Sequence, residues 1–227
     1  MIPSVSYPFM NTLRRLQAAQ RATWLRAQFL PACLIMVLAA LPVRATTVVP
    51  PKFDELVNES DYIVRAVVKS VVSEWREKQG QRHIFTFVEL EVLEVIHGKP
   101  PQPLVLEMLG GQVGDEAMVV QGIPKFEVGQ EDILFVRGNG RQFYPLTAAM
   151  HGRYPVVRER GGRAHVARSN HVALHATAEV ALPMTEGNEA AVQPQINAAT
   201  TAMAPDDFTR QIRAAVNVNY HRSPRAK

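Results

Sequence analysis

Residues 83–95 alternate strictly: Ile84, Thr86, Val88, Leu90 and Val92 fall on one side of an extended chain, and Phe85, Phe87, Glu89, Glu91 and Leu93 on the other. A period of two over that length calls for a β-strand and does not suit a helical stripe. The preceding run 62–72 (YIVRAVVKSVV) is dense in β-branched residues and reads as a second long strand. The charged, glycine-bearing stretch 74–82 between them is expected to be a hairpin loop. Shorter strands are expected at 104–109, 117–120, 133–136, 143–146, 153–157 and 164–166, punctuated by Gly110-Gly111, Asn139-Gly140 and Gly161-Gly162. Asn-Gly is the strongest two-residue hairpin signal among these. Many short strands with regular turns predict an all-β sandwich or small closed barrel. Phe85 and Phe87 have the spacing of a base-stacking face, but among apolar strand neighbours they are expected to fill the core.

Helical signals are few. A short helix is expected at 53–58. Asp206 and Asp207 precede Phe208, Ile212 and Val216 at i, i+4, i+8, which predicts an amphipathic helix over 205–217. Residues 169–204 turn to Ala, Thr, Asn and Gln and are expected to be an irregular segment. Residues 218–227 carry Arg222, Arg225 and Lys227 without an acid and are expected to be a disordered basic tail.

The chain's basic character is local. Its first 45 residues hold Arg14, Arg15, Arg21, Arg26 and Arg44 and no acid, so of 25 basic and 21 acidic residues, 20 and 21 remain from Thr46 onward. Nucleic-acid binding thereby loses its electrostatic basis. Four of these arginines precede an uncharged apolar run, 29–43 (FLPACLIMVLAALPV), and Val43-Arg44-Ala45 places small or modest residues before Thr46. A membrane-spanning helix needs about 20 apolar residues. The run is shorter and contains Pro31 and Pro42, so 1–45 is read as a signal peptide cut after Ala45, with Met10 as an alternative start. The protein is then expected to be secreted or periplasmic and to meet the membrane only transiently. Cys33 falls inside the leader, and a cysteine-free remainder has no disulfide, cysteine-ligated zinc or thiol nucleophile.

No G-x-S-x-G elbow, phosphate loop, His-Glu-x-x-His or glycine-rich dinucleotide turn occurs. His171 and His175 have the spacing that would set two imidazoles on one helical face toward a divalent metal, but no third ligand of suitable spacing accompanies them. The stretch Met150-His151-Gly152-Arg153-Tyr154 could polarise a substrate; as a loop corner it would place Tyr154 inside and Arg153 in water. Asn58-Glu59-Ser60 matches the glycosylation acceptor pattern. No catalytic residue and no cofactor is assigned.

At the new N-terminus Thr46-Thr47-Val48-Val49-Pro50-Pro51 is followed, after an ungapped interval, by Ser60-Asp61-Tyr62-Ile63-Val64-Arg65-Ala66. A second long strand ends at Val95-Ile96-His97-Gly98-Lys99, and Ile133-Leu134-Phe135-Val136 comes later. Over about 46–150 this layout resembles the netrin-like N-terminal domain of the tissue inhibitors of metalloproteinases, whose mature chains begin Cys-x-Cys-Val-Pro. The resemblance implies an OB-like barrel over 46–168 that acts by binding, not catalysis. Its partner would be a secreted zinc metalloprotease, with the Thr46 α-amine capping the partner's zinc and Thr47, Val48, Val49, Pro50 and Pro51 lying along its cleft. Thr46 and Val48 stand where that family has cysteines, so no disulfide can pin the segment, and Pro50 and Pro51 would have to supply its stiffness. Two alternatives remain open: a generic extracellular interaction module whose N-terminal segment covers a sheet edge, and an enzyme of unrecognised type.

Overall fold

The computed structural model describes residues 49–78, 80–159, 161–184 and 201–222, with backbone alone for 219–222. The chain divides after Thr47, and the described residues all belong to the unit that follows. The expected signal peptide (1–45), Thr46, Thr47 and Val48, residues 185–200 and the tail 223–227 lie outside the described residues.

This unit is mostly β, with antiparallel pairing throughout and one long C-terminal helix. Helix α1 (Phe53–Asn58) leads into β1 (Tyr62–Lys78) and β2 (Gln81–Gly98). Strands β3 (Leu104–Leu109), β4 (Gly111–Val113), β5 (Glu116–Met118), β6 (Glu131–Val136), β7 (Arg153–Arg158) and β8 (Ala164–Val166) follow, and then α2 (Pro205–Arg222). The main sheet runs β3-β2-β1-β6-β7-β8, and β4-β5 form a separate hairpin.

Most of the charged stretch 74–82 is strand, not loop: 74–78 belong to β1 and 81–82 to β2. The β1–β2 ladder continues to Lys78↔Gln81, and the reversal includes Gly80 at φ +75°. Its charges stabilise the ribbon from outside. Arg76 lies over Phe87 at 5.3 Å, Arg82 over Trp75 at 5.1 Å and Lys78 over Phe85 at 5.2 Å, while Lys78 also pairs with Glu107 at 2.8 Å. Cation–π contacts of this kind stabilise exposed ribbon that has no apolar core of its own. Register shifts at Ile63/Val64, Arg65/Ala66 and Val68/Ser70 bend β1, as extra residues in one strand do.

Both faces of the main sheet are covered. Along β6, Ile133 and Phe135 join a core with α1, α2, Tyr154, Leu174, Val180 and Phe208, whereas Leu134 and Val136 join a second core with Val64, Val88, Leu106 and Phe126. Adjacent strand residues point to opposite faces, so a strand buried on both sides reads as an unbroken apolar run. Phe85 is fully buried, and Phe87 is half-buried beneath Arg76.

No closed barrel is formed among the described residues. The Asn139-Gly140 pair does not make the expected tight hairpin, and 143–146 is not a strand; a single bridge, Val136↔Leu146, is all that pairs there. Asn139 instead turns its side chain onto the edge of β3. Its amide nitrogen donates to the Val105 carbonyl at 2.7 Å, its oxygen accepts from the Glu107 N–H at 3.1 Å, and the Leu109 N–H donates to the Phe143 carbonyl at 2.8 Å. One side chain thus stands in for a neighbouring strand. The far edge is covered differently. Val166 bonds Met203 and Leu174, so part of the expected irregular segment 169–204 is packed, with Leu174 and Val180 fully buried.

Helix α2 extends beyond its expected end, through 218–222, because no Gly or Pro follows Asn217 before Pro224. Phe208 and Ile212 are buried as the spacing requires. No described helix is long and apolar enough to cross a membrane.

Replacing Asn139 by Ala leaves the Val105 carbonyl and Glu107 N–H without their partner. Stability to urea is expected to fall by about 1–3 kcal/mol. An unchanged midpoint would show that the plug contributes nothing.

Candidate functional site

The N-terminal segment is tied to the domain at Lys52, just ahead of α1. Lys52 is extended (φ −68°, ψ 157°), its N–H donates to Glu55 Oε2 at 2.9 Å, and its carbonyl accepts from the Leu56 N–H. This is the return half of a capping box, with the N3 carboxylate satisfying the N-cap donor. Leu56 and Val57 anchor α1 in the core, and Phe53 meets Phe208 at 5.9 Å. Pro50 and Pro51 are half-buried, and Val49 is 81 % exposed. Of the six residues read as partner-binding, Val49, Pro50 and Pro51 therefore leave the domain as a stiff, non-helical arm. At the end of α1, Asn58 is exposed, whereas Ser60 is buried and donates to the Leu56 carbonyl at 2.8 Å.

His171 and His175 are not on a helix, which removes the premise of their spacing. His171 sits in a turn at φ +62°, and His175 lies 3.2 Å from Thr201 Oγ1 through Nδ1. The local hydrogen bonds run His171 N–H to Arg168 carbonyl and Arg168 N–H to Val172 carbonyl, a turn rather than a helical face. Among the described residues no group of three or more His, Cys, Asp or Glu is placed to hold a metal.

Arg153 is not in water. It is 4 % exposed and bound to Asp132, which is 0 % exposed, with Nε donating to Oδ1 at 2.9 Å. Its other nitrogens reach the Lys125 carbonyl at 2.5 Å and Gln130 Oε1 at 2.6 Å, and the guanidinium lies 4.4 Å from the Phe126 ring centroid. Burial pushes the Asp132 carboxyl up, with the Arg153 charge opposing. A guanidinium engaged this fully is a clamp on residues 125–130. Tyr154 fills the core as expected, 5.0 Å from Phe208.

His151 is also buried, at 2 % exposure, with Nδ1 unpartnered among the described residues. Burial and the nearby Arg168 charge push its pKa down to about 4. Arg168 itself is buried, donates to the Leu182 carbonyl and leaves Nε without a described partner.

A cavity of about 340 Å³ opens beneath the β4–β5 hairpin, of a size suited to a small ligand or side chains. Val71 and Ser73 of β1, Thr86 of β2, and residues 119–120 and 123–126 are among its lining. Its polar groups satisfy each other. Ser73 Oγ is 2.9 Å from Thr86 Oγ1, which donates to the Gly110 carbonyl at 2.6 Å. Gly111, at φ +135°, is required here because a Cβ would collide with both hydroxyls. The sequence reading missed this cavity, since β1, β2, β3 and the stretch 110–126 all line it; the Gly-Gly pair followed by Met118, Val119, Val120 and Ile123 was its one local sign.

No protein-family model matches the chain, and no curated protein sequence and no solved structure matches it.

The lowered His151 pKa gives a pH dependence of defined sign. The fold holds the neutral imidazole, so its contribution is complete above the ordinary value of 6.5 and is lost as the pH falls toward 4. Urea titrations at pH 7 and pH 4 are expected to differ by up to about 3 kcal/mol more in the natural protein than in His151→Gln. Asp132, with its raised carboxyl, contributes in the opposite sense to both proteins and drops out. Equal pH dependence would place the His151 ring in water.

Proposed function

We propose that this is an exported, non-catalytic binding domain of netrin-like, OB-like type, acting through the arm formed by Thr46, Thr47, Val48, Val49, Pro50 and Pro51, and that its partner is a secreted zinc metalloprotease. The observation that carries the reading is the arm's geometry: an exposed Val49 directly precedes two prolines, which lead into a capped, core-anchored helix. Such an arm loses little freedom on entering a cleft, because each proline already restricts the backbone. The bent antiparallel sheet, with its β3 edge sealed by Asn139, supports the OB-like part. The leader and the cysteine-free remainder support export. In this reading the α-amine of Thr46, with an ordinary pKa of about 8, offers the partner's zinc a lone pair once deprotonated.

The generic interaction module is the second reading, and the cavity beneath β4–β5 favours it, since it provides a recognition surface away from the arm.

The two readings separate on one comparison. A chain beginning at Thr46 is expected to bind and inhibit a metzincin-type protease, and one extended by a single N-terminal Ala is expected not to, because the added residue displaces the amine from the metal. Binding should weaken below the amine pKa. Equal binding by both forms would refute zinc capping, and absence of binding to such proteases would favour the generic module.

A further inference from the structure

The lining of the cavity at the β4–β5 hairpin grades from buried to exposed. Thr86, Met108 and Phe126 are buried, whereas Gln112, Val119 and Lys125 are exposed, Val119 at 86 %. The buried end offers a ligand no free hydroxyl proton. Thr86 donates to the Gly110 carbonyl and therefore accepts from Ser73, which uses both protons. A molecule entering there is held by apolar contact. The exposed end is different. Among the described residues Lys125 is the one charged residue of the lining, and its ammonium meets no carboxylate. The acids of the surrounding stretch, Asp115, Glu116 and Glu127, are exposed and lie outside the lining. The backbone that carries this lysine is fixed all the same, because Arg153 donates to the Lys125 carbonyl at 2.5 Å and lies 4.4 Å from the Phe126 ring centroid.

We propose that this cavity binds a small amphipathic monocarboxylate, with its acyl tail against Met108, Met118 and Phe126 and its carboxylate at Lys125. An apolar interior with a single unpaired cation at its exposed end is complementary to a ligand with one apolar end and one negative end. The volume of about 340 Å³ is room for roughly eleven water-sized groups at about 30 Å³ each, which suits a tail of about eight to ten carbons. Met108 and Met118 adapt to the shape of such a tail, since an unbranched thioether side chain fills irregular space. Tail burial supplies most of the affinity, because an ion pair at an exposed lysine contributes little. The lysine instead sets the sign of the headgroup. The lining includes no residue of the N-terminal arm, so the site stands whether or not zinc capping does.

The test titrates the full chain with butanoate, hexanoate, octanoate and decanoate, and with decanol and decyltrimethylammonium as uncharged and cationic controls. Affinity is expected to rise about threefold to fourfold per added CH₂ through octanoate. Decanol should bind about fivefold more weakly than decanoate, and decyltrimethylammonium more weakly still. Lys125→Gln keeps the main-chain bond to Arg153 and should remove the preference for decanoate while leaving decanol binding unchanged. Met118→Trp, which fills the cavity, should weaken decanoate and decanol alike by about tenfold or more. In the natural protein decanoate should shift the methyl NMR signals of Met108 and Met118, which reads the site without any substitution. Absence of binding, or methyl signals that do not move, would overturn the proposal. Equal binding of decanoate and decyltrimethylammonium, or a preference for decanoate that survives in Lys125→Gln, would refute the carboxylate subsite.

Discussion

Two adjacent acids at the start of β6 tie that central strand to both of its neighbours, β1 and β7. Glu131 and Asp132 point to opposite faces of the sheet, as neighbours in a strand must, and each meets its own arginine. Glu131 takes Arg65 of β1 at 2.5 Å and Arg158 of β7 at 2.5 Å; Asp132 takes Arg153 of β7 at 2.9 Å. Buried charges are tolerated only when paired, and removing one partner of such a pair typically costs about 3–5 kcal/mol. The consequences spread from there. Arg65 also reaches Asp206 in the first turn of α2, a contact of small value because Asp206 is largely exposed. Arg153 fixes residues 125–130, and that stretch is where the second edge of β1 ceases to be paired.

The handling of sheet edges connects this packing to function. The β3 edge is sealed by one asparagine side chain, and the β8 edge by the backbone around Leu174 and Met203. The β1 edge beyond Val68 receives neither, and three register shifts bend the same strand. The domain therefore leaves two features without a strand partner among the described residues: the proline-bearing segment ahead of α1, and the β1 edge beyond Val68. They rest on different physical causes, restricted backbone freedom in one case and unpaired main-chain groups in the other.

Local signals were legible where a segment's fate depended on its own residues. The strands at 104–109, 133–136 and 164–166 follow from apolar runs ended by glycine or charge, and α2 from Phe208 and Ile212 on one face. Misreadings arose where a distant partner decided the outcome. Charge at 74–78 looked like a loop because Phe85, Phe87 and Glu107, which accept those cations, lie elsewhere in the chain. Asn139 looked like a hairpin residue because its bonds to Val105 and Glu107 span more than thirty positions. Arg153 looked solvent-exposed because Asp132 and Gln130 are its partners only in the fold. Of the candidate site, the extended course of Val49, Pro50 and Pro51 was legible from the prolines, whereas the cavity drew on too many separate segments to be read from any one.

Among the described residues β1 is paired on both sides up to Val68 and on one side after it. Residue-resolved amide hydrogen exchange of the free protein tests this most directly. Amides of 63–68 are predicted to be uniformly protected, and those of 70–78 to alternate, with every second amide exchanging as if exposed to solvent. Uniform protection from 63 through 78 would contradict the account, because it would mean that the second edge of β1 is already covered.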